Sequence, residues 1–519
     1  MKQNVRKTNF IFLSAGIILI VTGACISIFW PALFKTFLFS ELTLSATSKS
    51  YAEWKRPSVE LYFDVYLFNW TNSYKFIYPD FEKPIFTEHG PYRFREIRDK
   101  VDIEFNNNST VSYRLLNNYY FDEESSLGSL DDVITNVNMV ALGAAAQSIN
   151  FEYQKRKVIS QVLNGYYEEN IFVSKTAREL LFEGYEDDMV TMGKMSNVAG
   201  FDMSAIPYDK VGWFYLRNAT NKLSGYYNVH TSSSKAGTIA NYNSLDHIQI
   251  YRGECSKLQG STGEFFPPGR SRDSIQLFAP DMCRSIVFDY EQDIDIHGVI
   301  GYRYAAGKRA VDNGKKYAEN LCYSEGSEFE VPSGVMNISA CRYSSPIFMS
   351  YPHFYEADSL FLSEIEGLNP QKDKHQSYIT IEPTTGIPLE VVIRFQANFL
   401  IQQIEDISLY QLYPTKFVPA MWVEQKFRID EEMASQLRIA LKIPAIGQVI
   451  GVIIFALGFA FVIISSIVKC LSSKTQSNEQ QEIHLSDVKN GNRRQKETSS
   501  PLLDANGKKV VIKKMESVE

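Results

Sequence analysis

Two long stretches without a charged side chain lie near the two ends of the chain. Neither residues 10–34 nor residues 445–468 contain Asp, Glu, Lys, Arg or His. A bilayer core takes roughly 20 apolar residues as a helix, so both stretches are predicted to span a membrane. The alternatives are a cleaved signal peptide and a buried core helix. We prefer two spans, because the first stretch is longer than a signal core and the second has no polar face.

Basic residues flank both predicted spans. Lys2, Arg6 and Lys7 precede the first, and Lys469 and Lys474 follow the second. Positive charge next to a span marks its cytoplasmic side, so both termini are expected in the cytoplasm. The predicted segments are the cytoplasmic N-terminus 1–9, the first span 10–34, an extracellular or luminal ectodomain 35–443, the second span 444–468 and the cytoplasmic tail 469–519.

Several parts of the ectodomain alternate in the way that strands do. Residues 59–70 predict a strand with one apolar face, because every second side chain from Val59 to Leu67 is apolar. Residues 88–105 and 110–121 continue this pattern after a Gly-Pro turn and predict a β-meander. Residues 378–401 predict a hairpin around a Pro-Thr-Thr-Gly turn.

A different pattern begins after Leu130. Val133 and Val137 start a helical spacing of apolar residues in 131–164, and residues 174–182 predict another short helix. Strand-like motifs then return, and these are WFYL (213–216), GYYNVH (225–230) and HIQIY (247–251). The chain is therefore predicted to be rich in strands, with one helical insertion.

Charge and motifs narrow the function. The chain has 60 acidic and 53 basic residues and a net charge of −7. Since both terminal segments are basic, the ectodomain carries the acidic excess, which disfavours nucleic acid as a partner. The sequence shows no GxSxG, HExxH, P-loop or GxGxxG motif, and its seven histidines have no metal-ligand spacing. We therefore predict no catalytic residues, no metal and no cofactor, and we interpret acid pairs such as Asp187–Asp188 as solvated loop charges.

Cysteines and sequons indicate an oxidising compartment. Four cysteines of the ectodomain predict two disulfides, and three pairings are possible. They are Cys255, Cys283, Cys322 and Cys341. Cys470, beside the second span, is a candidate for acylation or an idle thiol. Five sequons predict N-glycosylation at Asn69, Asn107, Asn108, Asn218 and Asn337.

Six motifs carry a family resemblance that extends almost to the second span. They are GPYRFR (90–95), ARELLFEGY (177–185), APDMCRSI (279–286), SYPHF (350–354), GLNP (367–370) and IEPTTG (381–386). They resemble the class B scavenger receptors, a family that includes fatty-acid and lipoprotein receptors and a lysosomal integral membrane protein. The resemblance implies an α+β fold: a large antiparallel β-barrel-like ectodomain with an apolar tunnel, an apical helical cap at 150–185 and two transmembrane anchors.

The resemblance also implies roles for particular residues. It favours the disulfides Cys255–Cys322 and Cys283–Cys341. The cap residues expected to meet ligands are Lys155, Arg156, Lys157, Glu168 and Glu169. Family members that bind anionic lipid particles have lysines where this chain has the two glutamates. We therefore expect poor binding of anionic particles.

Two functions follow as expectations. The first is a receptor for lipids or lipoproteins that passes fatty acid, sterol, phospholipid or carotenoid through the tunnel to the bilayer. The alternative is a sorting receptor that carries a luminal protein on its cap. Tail residues Glu497, Leu502 and Leu503 resemble an acidic dileucine signal, with Glu497 one position too far upstream. The expected location is the plasma membrane, the endosome–lysosome membrane, or both.

Overall fold

The fold is given by a computed structural model in which the chain forms two units. One unit is Met1–Lys35 with Leu441–Glu519, and the other is Thr36–Ala440. The structure describes residues 2–48, 50–76, 81–168, 170–195, 207–324 and 331–497.

Long helices occupy both ends of the chain, and strands dominate the part between them. The helices are α1 (Lys2–Leu42), α2 (Ser50–Lys55), α3 (Met139–Ser148), α4 (Tyr153–Tyr167), α5 (Asp188–Met195), α6 (Lys308–Val311), α7 (Ser359–Ser363), α8 (Lys372–His375) and α9 (Glu431–Glu497). The strands are β1 (Leu61–Trp70), β2 (Phe86–Asn106), β3 (Thr110–Phe121), β4 (Val133–Val137), β5 (Phe172–Thr176), β6 (Tyr227–His230), β7 (Ile239–Tyr242), β8 (Ser274–Ala279), β9 (Arg284–Ile296), β10 (Val299–Ala305), β11 (Met336–Asn337), β12 (Ile347–Ser350), β13 (Tyr378–Ile381), β14 (Pro388–Ile401) and β15 (Lys416–Arg428).

Helices α1 and α9 contain the two predicted spans. The segments Lys7–Leu42 and Glu431–Ser486 are long and apolar enough to cross a membrane, with mean hydropathies of 2.5 and 2.7. Most side chains in these segments are exposed. That exposure suits helices surrounded by lipid, because lipid is as apolar as the side chains themselves.

Glycines let α1 and the apolar part of α9 pack closely. A Cβ atom added to Gly23 would lie 2.7 Å from the carbonyl oxygen of Gly451. One added to Gly458 would lie 2.8 Å from the carbonyl oxygen of Gly16. Small residues allow this backbone approach in membranes, where packing rather than the hydrophobic effect holds helices together.

One antiparallel sheet of 13 strands organises the other unit. Its main path is β7-β6-β3-β2-β1-β15-β14-β13-β10-β9-β8, and β11 and β12 attach through β14. Ser261 nearly closes this path, since it forms bridges both with Thr238, next to β7, and with Leu277 of β8. The α+β fold with a barrel-like antiparallel sheet is therefore confirmed, as are the β1–β2–β3 meander and the β13–β14 hairpin.

Strand β1 shows how the sequence pattern becomes a core. Phe63, Val65 and Leu67 lie on one face and are buried. The other face is not simply solvated, because Asp64 is also buried. Its carboxylate accepts two hydrogen bonds from the Arg93 guanidinium, at 2.8 and 2.6 Å, which compensates for the lost hydration.

Some local predictions were wrong. Residues 133–137 form strand β4 rather than the start of a helix, because these mostly β-branched residues pair with β5. The predicted helix 174–182 begins inside β5 and continues as a π-helical turn at Glu179–Glu183. WFYL and HIQIY form turns. In WFYL the backbone N–H groups of Trp213 and Phe214 donate to carbonyls of that π-helical turn.

Candidate functional site

Three helices, α3, α4 and α5, occupy the region of the predicted cap and extend beyond 150–185 on both sides. Helix α4 is amphipathic and buries Ile159, Ser160 and Leu163. It ends at Tyr167, and the next residue, Glu168, has a left-handed backbone with a φ of 45°. Helix α5 begins at Asp188, three residues after the motif at 177–185, and its Val190 packs in the same hydrophobic cluster as Tyr185 of that motif.

Two of the three cations in the basic cluster of α4 pair with a single carboxylate. The Nε and Nη2 atoms of Arg156 donate to one carboxylate oxygen of Asp406, at 3.1 and 2.8 Å. The Nζ atom of Lys157 lies 3.5 Å from the other oxygen. Hydrogen bonding from Arg156 holds the pKa of Asp406 below its ordinary value. Arg156 therefore fastens the helix to the 404–408 segment and is not a free cation for a ligand.

Two charges of the predicted site remain open to a ligand. Lys155 is exposed and lies 6.0 Å above the Phe151 ring, with no ion pair to any residue that the structure describes. Glu168 is exposed at the other end of α4, about 20 Å away along the helix axis at 1.5 Å per residue. Glu169 lies outside the described residues. The predicted cap residues therefore do not converge on one charged spot.

A polar stripe of α4 carries contacts that the sequence analysis missed. Ser160 and Asn164 follow Arg156 at intervals of four residues, which places all three on one face. The Ser160 hydroxyl accepts the backbone N–H of Ser408 at 2.9 Å, and the Asn164 amide donates to the Ser408 hydroxyl at 2.5 Å. The spacing was visible in the sequence, but the partner Ser408, which is 248 positions from Ser160, was not.

A buried carboxylate connects α4 to α5. The Tyr167 hydroxyl lies 2.9 Å from one oxygen of Asp187 and donates to that carboxylate, which also accepts the backbone N–H of Met189 at 3.0 Å. Burial raises the pKa of Asp187, although these hydrogen bonds oppose the shift. The interpretation of Asp187 as a solvated loop charge was therefore wrong, since it caps α5.

A second polar cluster joins four elements of the barrel, and we call Glu88, His353, His375 and Trp422 the histidine junction. His353 Nε2 and Trp422 Nε1 lie 2.6 and 2.7 Å from one Glu88 oxygen. The two imidazole rings stack with centroids 4.5 Å apart. Burial opposes ionisation of Glu88, but these hydrogen bonds outweigh it and lower its pKa.

The histidine junction was not predicted, because its members are scattered in the sequence. His353 and Glu88 are separated by 265 positions. Within the part of the chain that the structure describes, no group of three or more His, Cys, Asp or Glu could hold a metal ion. The junction is therefore a hydrogen-bonded support inside the sheet.

The histidine junction predicts a stability that depends on pH. Burial, with repulsion from His353, lowers the pKa of His375 from 6.5 to about 3. Below pH 6.5 His375 becomes protonated in the unfolded chain but stays neutral in the folded protein. The free energy of unfolding should therefore fall by up to about 2 kcal/mol between pH 6.5 and 5. His375→Gln should flatten this slope in urea titrations at several pH values.

Two comparisons make this measurement specific. His247→Gln changes a half-exposed histidine and should leave the slope as it is in the unmodified protein. Glu88 titrates below this pH window, because its pKa is lower than 4.5. An unchanged slope in His375→Gln would show that another group causes the acid sensitivity.

The disulfides and free cysteines have defined positions. Cys255 is linked to Cys322 and Cys283 to Cys341, the pairing that the family resemblance implies. Cys25 and Cys470 are free and exposed. The bridges close loops with sequence separations of 67 and 58 residues, which restricts the unfolded chain.

The five sequons differ in exposure. Three asparagines are exposed, namely Asn107, Asn108 and Asn218. Asn69 and Asn337 are half-buried, and their side-chain oxygens accept backbone N–H groups at 2.8 and 2.9 Å. Glycosylation stays a prediction, with the three exposed positions the more accessible ones. In the tail, Glu497 ends α9, while Leu502 and Leu503 lie outside the described residues.

Comparison with known proteins places these features in a family. The family model described as the CD36 family matches residues 14–469. Protein peste of Drosophila melanogaster is 38% identical over 85% of this chain and 79% of its own length. Lysosome membrane protein 2 of Rattus norvegicus is 30% identical over 88% of this chain and 95% of its own length. Scavenger receptor class B member 1 of Cricetulus griseus is 30% identical over 85% of this chain and 86% of its own length.

Proposed function

Since the chain belongs to the CD36 family, we propose that it binds lipids or lipoproteins through its ectodomain and passes lipid through an apolar tunnel to the bilayer. Membership of this family already makes the chain a scavenger-receptor-like membrane protein. The proposal of lipid binding and passage rests on one observation, the nearly closed 13-stranded sheet. A closed sheet provides the concave, enclosed surface that an apolar ligand requires.

The proposed ligands are fatty acid, sterol, phospholipid or carotenoid, and the proposal includes no enzymatic step. The decisive experiment is mass spectrometry of lipids extracted from the secreted unit Thr36–Ala440, purified without detergent. Co-purification of a lipid class in stoichiometric amount supports the proposal. Recovery of no lipid above the level of a secreted control glycoprotein would contradict it.

A sorting receptor with a luminal protein on its cap is the second proposed function. The similarity to a lysosome membrane protein over 95% of that relative's length favours it. Both termini are proposed to be cytoplasmic, with Glu497, Leu502 and Leu503 as the sorting signal in the tail. The proposed location is the plasma membrane, the endosome–lysosome membrane, or both.

Charge at the end of α4 predicts selection among ligands. Glu168 is exposed and no cation neutralises it among the described residues, so it should repel anionic particles. Glu168→Lys should increase the binding of acetylated lipoprotein severalfold at low salt. The gain should shrink at physiological salt, where screening acts over about 8 Å.

A matched variant tests whether position matters. Glu104→Lys makes the same charge change at an exposed site on β2, outside the cap. It should leave acetylated-lipoprotein binding at the level of the unmodified protein. Equal gains from both variants would mean that net charge, and not the cap, selects the ligand.

A further inference from the structure

Two sequence motifs that have no part in the proposed function, SYPHF and GLNP, meet at the histidine junction. We call residues 367–371, which contain GLNP, the strap. The backbone N–H of Asn369 in the strap donates to Nδ1 of His353 at 3.0 Å. The backbone N–H of Gln371 donates to Nδ1 of His375 at 2.9 Å. Both imidazoles therefore hold the strap through the same ring atom.

These two contacts fix the protonation state of both rings. A backbone N–H group can only donate, so each Nδ1 atom must carry a lone pair and no proton. His353 then carries its proton on Nε2, which lies 2.6 Å from the Glu88 carboxylate. A second proton on either imidazole would bind at Nδ1 and place two N–H groups against each other. Each docking contact therefore requires a neutral ring.

The charged groups that face His375 keep the docked ring neutral. They are His353, Glu88, Lys374 of α8 and Arg394 of β14. Burial, with repulsion from His353 and the two cations, lowers the pKa of His375 to about 3, while Glu88 opposes this shift. The Glu88 carboxylate lies on the Nε2 side of His353, so it offers no partner to a proton on Nδ1. At pH 5 a proton therefore binds His375 only after the strap has left.

The chain on both sides of the strap is attached by groups that do not titrate between pH 5 and 7. Before the strap, Glu366 forms a backbone bridge with Ile85. After it, the Arg394 guanidinium donates to the carbonyls of Asp373 and Gln376, at 3.2 and 2.8 Å. Loss of the imidazole contacts would therefore free the strap and leave the flanking chain in place.

The two rings also cover apolar side chains. The ring centroid of His353 lies 5.3 Å from that of Phe68, and the centroid of His375 lies 5.8 Å from that of Trp422. Phe68 and Trp422 belong to one buried hydrophobic cluster. A charged imidazole is costly to bury against such a cluster, so a protonated ring would leave it.

We propose that the strap and the histidine junction form an acid-operated latch, in which protonation of His353 and His375 keeps the strap undocked and uncovers Phe68 and Trp422. A free imidazole has an ordinary pKa of about 6.5, so both rings bind protons once the strap is undocked. Between pH 7 and 5 the ratio of undocked to docked protein should rise about 25-fold for each imidazole. Endosomal acidification covers this range. The latch does not depend on the proposed passage of lipid.

Hydrogen exchange of the full-length protein in detergent, followed by mass spectrometry, tests the latch. After correction for the intrinsic effect of pH, exchange at Asn369 and Gln371 should rise by up to about 600-fold from pH 7 to 5, since two imidazoles contribute. Amides of β14 should stay protected at both pH values. If the strap exchanged no faster than β14 at pH 5, only global unfolding would expose it and the latch would be overturned.

Two variants separate protonation from the contact itself. In His375→Asn the Oδ1 atom replaces Nδ1 as the acceptor but cannot take up a proton, so the acid response should fall to about 25-fold. His375→Phe keeps a ring without an acceptor, and its strap should already exchange faster at pH 7. His247→Asn changes a half-exposed histidine and should respond like the unmodified protein. An unreduced response in His375→Asn would overturn the proposal.

The uncovering of the hydrophobic cluster has its own measurement. Hydroxyl-radical labelling of Trp422, read by mass spectrometry, should increase from pH 7 to 5 in parallel with exchange of the strap. Constant labelling of Trp422 beside a freely exchanging strap would overturn the uncovering. If neither variant of His375 folds, exchange of the strap and of β14 in the unmodified protein decides.

Discussion

Replacing Lys100 with methionine is expected to lower the free energy of unfolding by about 3–5 kcal/mol. Lys100 is completely buried in β2, and its ammonium donates to the Trp54 carbonyl at 2.6 Å. It also lies 2.6 Å from a Glu264 oxygen. Burial lowers the pKa of Lys100, and without the lysine the Glu264 carboxylate would lose its partner.

Urea denaturation of the full-length protein in detergent measures this loss. Lys222→Met removes an exposed lysine and should change stability little. Lys100→Met with Glu264→Gln should recover much of the loss, because no uncompensated charge then remains. If Lys100→Met alone were as stable as Lys100→Met with Glu264→Gln, the Lys100–Glu264 pair would not act through charge.

Removing the Cys255–Cys322 disulfide should lower the free energy of unfolding by about as much as Lys100→Met does. The disulfide closes a loop with a sequence separation of 67 residues and so lowers the conformational entropy of the unfolded chain, which stabilises the folded protein by roughly 4 kcal/mol. Cys255→Ser with Cys322→Ser should therefore be retained in the endoplasmic reticulum, where N-glycans at the predicted sequons would stay sensitive to endoglycosidase H. Cys25→Ser with Cys470→Ser makes the same number of changes at free thiols and should mature normally. Normal maturation of both proteins would argue against a stabilising bridge.

Local periodicity made much of the architecture predictable from the sequence. The spans, the β1 strand and the β13–β14 hairpin each depend on residues close in the chain. The prediction that a helix starts at residues 133–137 was wrong, because apolar spacing over so short a stretch fits both a helix and a strand. Only the pairing of β4 with β5 decides between them.

The candidate site was less predictable, because its partners are distant in sequence. Arg156 looked like a ligand contact, but Asp406, 250 positions away, holds it. Asp64 is one of the polar residues that alternate with the apolar ones of β1, and the sequence does not show that the Arg93 guanidinium satisfies its buried carboxylate. A sequence shows that a residue is charged and does not show which residue neutralises it.

The pairing of β1 has a consequence for how the protein is made. Strand β1 lies between β2 and β15, and Tyr62 of β1 pairs with Lys426 near the end of the unit Thr36–Ala440. The ribosome must therefore add more than 300 residues before this edge is covered, which takes roughly 20–70 s at 5–20 residues per second. During that time an unpaired strand edge is open to wrong partners. Biogenesis of this protein should depend on chaperones that shield the β1–β2–β3 meander until translation is nearly complete.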